Sequence, residues 1–253
     1  NTTEVVSGST PKRLGSATGV LEPQTTMYAP YLRKDYYGRN SYIAVQNTTG
    51  SDNLVTVNYV DKDGNAIPAA TESATLPAFT SKIFYQDANA NLPSNFCGSA
   101  IVSGAAEIAV IVNNADSGAS ASRSGFESYN GLSPPATKLY MPKLTVNYYI
   151  YYQSSFTAQN TGASPATMTF TYTSTIGDVF VKTSDPIQPG AAWGPYLANE
   201  WKSGIPAGWS GTGSGVVTSD QPMVGIVTEV NTDTGYSVVW SAIPEGDSTD
   251  TVL

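Results

Sequence analysis

Tyr140-Met-Pro-Lys-Leu-Thr-Val-Asn-Tyr-Tyr-Ile-Tyr-Tyr-Gln-Ser-Ser-Phe-Thr-Ala-Gln-Asn160-Thr-Gly162 decides the reading of the fold, because Tyr28-Ala-Pro30 through Val45-Gln-Asn47-Thr48 says nearly the same thing earlier in the chain. Pro23, Tyr28 and Pro30 recur as Pro135, Tyr140 and Pro142, each 112 positions on. Asn47, Tyr59 and Gly64 recur as Asn160, Tyr172 and Gly177, each 113 positions on, so one residue has been inserted between the two sets. Leu92-Pro-Ser-Asn-Phe96 echoes as Ile205-Pro-Ala-Gly-Trp209, and Ala100-Ile-Val-Ser103 as Gly215-Val-Val-Thr218. A period of this length is a whole domain, not a solenoid unit.

Working outward, each copy alternates apolar and polar residues with the period of two that marks half-buried strands. In the first copy these are Ser41-Tyr-Ile-Ala-Val-Gln46, Leu54-Val-Thr-Val-Asn-Tyr-Val60, Ser81-Lys-Ile-Phe-Tyr85, Ser99-Ala-Ile-Val-Ser103 and Ile108-Ala-Val-Ile-Val112. The second copy answers with Thr167-Met-Thr-Phe-Thr-Tyr172, Asp178-Val-Phe-Val-Lys182, Gly215-Val-Val-Thr218, Met223 to Val230 and Tyr236-Ser-Val-Val-Trp240. The run Tyr148 to Tyr152 reads as a further strand, with Tyr149 and Tyr151 on one face. Asp61-Lys-Asp-Gly-Asn65 reads as a hairpin turn with Gly64 at positive φ, and 197–204 as one short helical turn. The fold class is therefore all-β: two tandem antiparallel, immunoglobulin-like β-sandwich domains related by internal duplication. The boundaries are an arm over 1–22, domain 1 over 23–132, a linker over 133–139 containing Pro134-Pro135, domain 2 over 140–245 and a tail over 246–253. A Pro-rich linker is a semi-rigid spacer, which predicts domains lying end to end.

The 253 residues are 40% hydrophobic but only 13% charged, with a formal net charge of -8, and this describes a globular chain with an uncharged polar surface. Nucleic acid is excluded as a partner, since phosphate binding needs clustered Lys and Arg. No apolar run long enough for a spanning helix occurs. Asn1-Thr-Thr and Asn47-Thr-Thr match the N-glycosylation acceptor and, with the Ser/Thr/Gly-rich composition, point to an extracellular or cell-surface location. Cys97 is the lone cysteine, read as a small buried apolar residue.

The paired Tyr-x-Pro openers (Tyr28-Ala-Pro30, Tyr140-Met-Pro142), the Gln-Asn turns (Gln46-Asn47, Gln159-Asn160) and the Tyr129-Asn-Gly131 element before the second opener resemble tandem modules of secreted bacterial surface proteins. The resemblance covers most of 23–245 and implies location more than activity. Its motifs are structural, and the second copy departs from them where Tyr236-Ser-Val238 takes the place of Tyr-Asn-Gly.

Chemistry is sparse. The chain has no histidine, which removes Ser-His-Asp triads, Cys-His dyads and the usual zinc ligands. Asp61 to Asn65 is a poor calcium loop, because its glycine falls fourth and not sixth, and the second copy has Ser174-Thr-Ile-Gly177 there, with no carboxylate. Gly211-Thr-Gly-Ser-Gly215 lacks the lysine of a phosphate loop. Glu107 and Glu229, the acids within matching strands, read as solvated or edge residues and not as a glycosidase pair. No enzyme activity, cofactor or metal is expected.

Two functions fit. In the first, the chain is a structural subunit of an extracellular filament or coat, a homopolymer in which the arm acts as a donor strand, the alternative being an arm folded back onto its own domain 1: 17–22 precede Tyr28 as a copy of the closing strand precedes Tyr140, and Val5, Val6, Val20 and Leu21 are its interface residues. The alternative is a carbohydrate-binding or adhesive module in which Tyr149, Tyr151, Trp193, Trp201 or Trp209 presents a ring to a glycan.

Overall fold

The computed structural model describes residues 2–6, 13–17, 19–116, 126–235 and 237–246, the first two stretches by backbone alone. Strands dominate them: β1 (Thr2–Val6), β2 (Arg13–Ala17), β3 (Gln24–Lys34), β4 (Arg39–Asn47), β5 (Asn53–Asp61), β6 (Glu72–Leu76), β7 (Ser81–Tyr85), β8 (Phe96–Asp116) and β9 (Phe126–Asn130), then β10 (Ala136–Val146), β11 (Tyr152–Asn160), β12 (Met168–Ser174), β13 (Val179–Thr183), β14 (Ala192–Trp193), β15 (Gly211–Asn231), β16 (Ser237–Ser241) and β17 (Ile243–Pro244). Helix among the described residues is one turn, α1 (Glu200–Ser203), and a 3-10 turn at Pro68–Ala70. The all-β class holds, in two large antiparallel sheets: β3 to β9 form one and β10 to β17 the other, with β1 and β2 paired separately.

Alternation builds these strands as the sequence predicts. In β12, Met168, Phe170 and Tyr172 are buried while Thr169, Thr171 and Thr173 face outward. The central strands differ from expectation. Segments 99–103 and 108–112 belong to one 21-residue strand, β8, whose first part pairs with β3 and β5 and whose second part pairs with β4 and β9. β15 does the same with β10 and β12, then β11 and β16. Residues 104–107 (Gly-Ala-Ala-Glu) and 219–222 (Ser-Asp-Gln-Pro) break the apolar alternation, yet each is held extended while the strand changes partners.

The same register recurs in both sheets. Tyr28 faces Ile101 and Tyr140 faces Val216, each followed by a shift, between Ala29 and Leu32 and between Met141 and Leu144. Gly98 and Gly213 sit at the matching close approach, where a Cβ would stand 2.2 Å from the carbonyl oxygen of Val60 or Thr173. The inserted residue lies at the first hairpin: Tyr36 bridges Arg39 there, whereas Tyr148 bridges Tyr152. The closing strand corrects the sequence alignment. Tyr129 faces Val112 and the Gly131 amide donates to Val110, while Trp240 faces Val227 and the Ala242 amide donates to Gly225. Trp240-Ser-Ala242, not Tyr236-Ser-Val238, thus stands where Tyr129-Asn-Gly131 does, with the small residue moved across the pair.

The halves do not lie end to end. Ile226 of β15 is part of the buried core built by Leu32, Ile43, Val57, Phe84 and Val110 of the first half, and Val239 packs against it. Ser99 Oγ donates to the Gly190 carbonyl (2.5 Å), and Gln159 Nε2, fully buried, donates to the carbonyls of Gly190 (2.9 Å) and Ala100 (3.3 Å). The linker is too short to separate them, because Leu132 exchanges backbone hydrogen bonds with Tyr28 and β10 begins at Ala136. In the arm, β1 pairs with β2, Val5 opposite Leu14 and Val6 opposite Arg13, and β2 runs beside β9 of the same chain. Val20 packs on the first core, while Leu21 is exposed.

Candidate functional site

The site is a hairpin tip. Val146 ends β10 and Tyr152 opens β11, so the aromatic run is not a strand: Tyr148 and Tyr152 exchange backbone hydrogen bonds (3.1 and 3.0 Å), and the Ile150 amide donates to the Asn147 carbonyl (2.9 Å). The turn-making signal was Asn147, masked in the sequence by the tyrosines around it; Asn accepts positive φ more readily than most residues. Asn147, Tyr149 and Ile150 have φ of 48°, 46° and 63°. For Ile this is a steric outlier, since a left-handed residue with a branched Cβ costs about 1–2 kcal/mol. The tip is nonetheless solvent-facing, with Tyr149 70% and Ile150 74% exposed and the Tyr148 and Tyr149 rings 4.4 Å apart.

Buried and half-buried amides hold this shape. The Asn147 amide donates to Gln153 Oε1 (3.0 Å), Gln153 Nε2 donates back to Asn147 Oδ1, and Asn147 Nδ2 donates to the Trp209 carbonyl (2.8 Å). The Thr232 amide donates to the Tyr151 carbonyl (2.8 Å), tying the other limb to the end of β15. The matching hairpin of the first half is built alike: Asp35, Tyr37 and Gly38 have positive φ, Tyr37 is exposed, and Asn40 Oδ1 accepts from the Asp35 amide (2.7 Å). It carries Gly38 where the second half has Ile150. At the neighbouring turn it carries Lys62-Asp63 where the second half has Thr175 and the exposed Ile176. The second tip has exchanged glycine and charge for apolar side chains.

The other candidates separate cleanly. Tyr151 is exposed on the tip, and Trp201 is 88% exposed on α1, whose first turn is capped by the Asn199 side chain. Trp193 packs edge-on to Phe156 (5.2 Å), and Trp209 packs edge-on to Tyr172 and Phe180 while its indole donates to Asp178 (3.1 Å), so these two rings belong to the core's rim. Asn47 is fully buried, and its Nδ2 donates to the carbonyls of Ser51, Leu76 and Pro77. The folded chain therefore offers no free amide to a glycan there; Asn1 lies outside the described residues. Sequence reasoning passed over Ile150 and Ile176, which become visible only when the two halves are compared position by position.

Glu229 is buried, contrary to the edge reading, with Lys143 Nζ at 2.9 Å and Thr145 Oγ1 donating at 2.8 Å. In the first half the buried carboxylate is Glu127, paired with Arg33 (2.6 Å) and Arg39 (2.9 Å). Glu127 comes from β9 and Glu229 from β15, yet Glu229 occupies the register place of Asn114, which neighbours Glu127: Ser41 faces Asn114 and Ser154 faces Glu229. Each carboxylate thus has an ion pair within the chain, two guanidiniums on Glu127 and one ammonium on Glu229. Burial pushes the Tyr31 phenol, beside Arg33, up to about 12 against the pull of that guanidinium, and burial also raises the half-buried Cys97 thiol. Among the described residues no cluster of His, Cys, Asp and Glu could hold a metal ion, and no helix is long and apolar enough to cross a membrane.

No protein-family model and no curated protein matches the chain. Solved structures with some likeness include Thermotoga maritima 1070 (20% identity, TM-score 0.36, 45% of this chain and 97% of that one). The Anabaena sensory rhodopsin transducer (16%, TM-score 0.31, 36% and 96%) and the PBSX exported protein XepA (7%, TM-score 0.19, 77% and 86%) are others. At these scores they carry no argument about fold or function.

Proposed function

We infer that the chain is one β-sandwich written twice, from the recurring registers and the split roles of β8 and β15, and we propose that it serves as a non-catalytic adhesive module of an extracellular surface, binding neutral polysaccharide through the 147–152 tip. The observation that carries this is Ile150, a branched residue held at φ 63° and 74% exposed where the other copy has glycine. Folding gains nothing from such a residue, and backbone strain kept at an exposed site is the pattern of a binding element. Tyr149 and Tyr151 beside it supply rings for stacking on sugar faces, worth about 1 kcal/mol each. A net charge of -8 disfavours acidic polymers.

The test is electrophoresis of the native chain through gels cast with a soluble β-glucan, a xylan or a mannan. Retardation in at least one gel, lost in Tyr149→Ala, is the expected result; unretarded migration in all three refutes the proposal.

The second reading, a head-to-tail structural subunit, is favoured by a different observation. The two halves meet through unlike surfaces, so the same contact stays open at both ends of the chain. Strand exchange by the arm is no longer its motive, since β1 pairs with β2.

A further inference from the structure

Within the chain, turn 188–191 of the second half rests on a face of the first. The Gly190 carbonyl accepts from Ser99 and Gln159, a Cβ on Gly190 would lie 3.0 Å from Val60 and 3.7 Å from Ile101, and one on Gly64 would run into Gln188. Register transfers every member of this contact to the other half. Val60, Ser99 and Ile101 correspond to Thr173, Ser214 and Val216, because Val60 pairs with Ser99 as Thr173 pairs with Ser214, and Ile101 faces Tyr28 as Val216 faces Tyr140. Gln159 corresponds to Gln46, since each precedes the Asn of the Gln-Asn turn. Gly190 corresponds to Phe79: the Asn160 amide donates to Ala191 as the Asn47 amide donates to Thr80, and both turns close with the same i to i+3 bond, from Ala191 to Gln188 and from Thr80 to Pro77.

These second sets are open. Val60, Ser99 and Gln159 are buried by the contact, whereas Thr173, Ser214 and Gln46 are exposed. The hydrogen-bonding chemistry has been kept in the open set, with Ser for Ser and Gln for Gln. Around it the charged Lys62-Asp63 turn has become Thr175-Ile176, and Gly190 has become Phe79, a non-glycine residue at φ 59° that is 65% exposed. Two large apolar side chains, Phe79 and Ile176, thus stand in water at the two ends of one unmade contact.

We propose that a second copy of this chain seats its 77–80 turn on Thr173, Ser214 and Val216, repeating between chains the contact that 188–191 makes within one. Phe79 lies over Thr173 and Val216, Ser214 Oγ and Gln46 Nε2 of the respective chains donate to the Phe79 carbonyl, and Pro77 covers Gly177 beside Ile176. The contact is heterologous and does not consume its own complement, so it propagates into a filament. This rests on the subunit reading and names its interface, by continuity with the packing of the two halves.

Sedimentation of the full chain at rising concentration tests it, together with Phe79→Asp, which disables the turn, and Ser214→Arg, which disables the face. Asp tolerates positive φ, and both positions are exposed. The wild type is expected to form a concentration-dependent series of oligomers, and each variant alone to weaken association by ~10-fold or more, as a buried unpaired charge requires. An equimolar mixture of the two is expected to stop at a dimer, because it retains one good turn and one good face. A wild type that stays monomeric at every concentration overturns the subunit reading and this contact with it. Oligomers that persist undiminished in both variants leave the subunit reading standing and overturn this contact alone. Circular dichroism and melting confirm that each variant is folded; should either fail, Gln46→Glu and Thr173→Lys probe the same two surfaces with the same expected outcomes.

Discussion

Tyr59 and Tyr172 hold the same place in the two halves and differ in one respect. The Tyr59 hydroxyl donates to Glu72 (2.8 Å) and accepts from Gln86 Nε2 (2.9 Å), whereas the buried Tyr172 hydroxyl has no hydrogen-bond partner among the described residues. Removing a partnered hydroxyl strands its neighbours, while removing an unpartnered one relieves a desolvation cost. Tyr59→Phe is expected to destabilise by about 1–2 kcal/mol, and Tyr172→Phe to be neutral or stabilising, in urea titrations. The buried phenols also set the alkaline limit. Tyr31 ionises near 10.0 when unfolded and at about 12 when folded, so the folded state retains the proton longer and its stability contribution is complete below pH 10 and lost as pH rises toward 12. With no histidine in the chain, stability is expected to be nearly level from about pH 6 to 9 and to fall above pH 10, measured as the urea midpoint against pH. A midpoint that moved sharply near pH 7 would contradict this.

At the scale of elements, period-two alternation made most strands legible, and the hairpin at Asp61 to Asn65 closes as its composition predicts, with Gly64 at φ 90°. Two features were hidden for physical reasons. A strand that changes sheet partner midway looks like two strands and a turn, because the crossing point has no face to bury and so loses its apolar code at 104–107 and 219–222. The 147–152 tip looked like a strand because tyrosine and isoleucine favour sheets, a preference overridden where the chain must reverse. Ile150→Gly separates structure from function at that tip. It is expected to stabilise the fold by about 1 kcal/mol, by releasing the left-handed strain, while weakening retention on polysaccharide. Gain in both properties would remove Ile150 from the site. Gly98→Ala and Gly213→Ala are opposite in character: a methyl group cannot share space with a carbonyl oxygen 2.2 Å away, so each is expected to cost several kcal/mol, about 2 or more, in its own half.

For the whole molecule, the repeated sequence motifs indicated what each half contains but not how the halves meet, because a Pro-Pro spacer does not specify which surfaces pack. Gln159 illustrates the difficulty. It reads like Gln46, and only the neighbouring half supplies its second acceptor, the Ala100 carbonyl, beside the Gly190 carbonyl of its own half. Such a junction, with Ile226 lodged in the first core, should make the halves unfold as one. Gly190 is the place to break it: its backbone is held at φ 80° and the Val60 and Ile101 face is shaped to a glycine, a Cβ standing only 3.0 Å from Val60, so an indole would force the turn off that face. Gly190→Trp is expected to split a single calorimetric transition into two, the less stable half melting first. Phe79→Gly, at the matching turn where the other half does not pack within the chain, is expected to keep one transition and raise its midpoint slightly by relaxing the backbone. A single transition in Gly190→Trp at the wild-type temperature would mean that the junction does not couple the halves. The same turn would then have no claim to join one chain to the next.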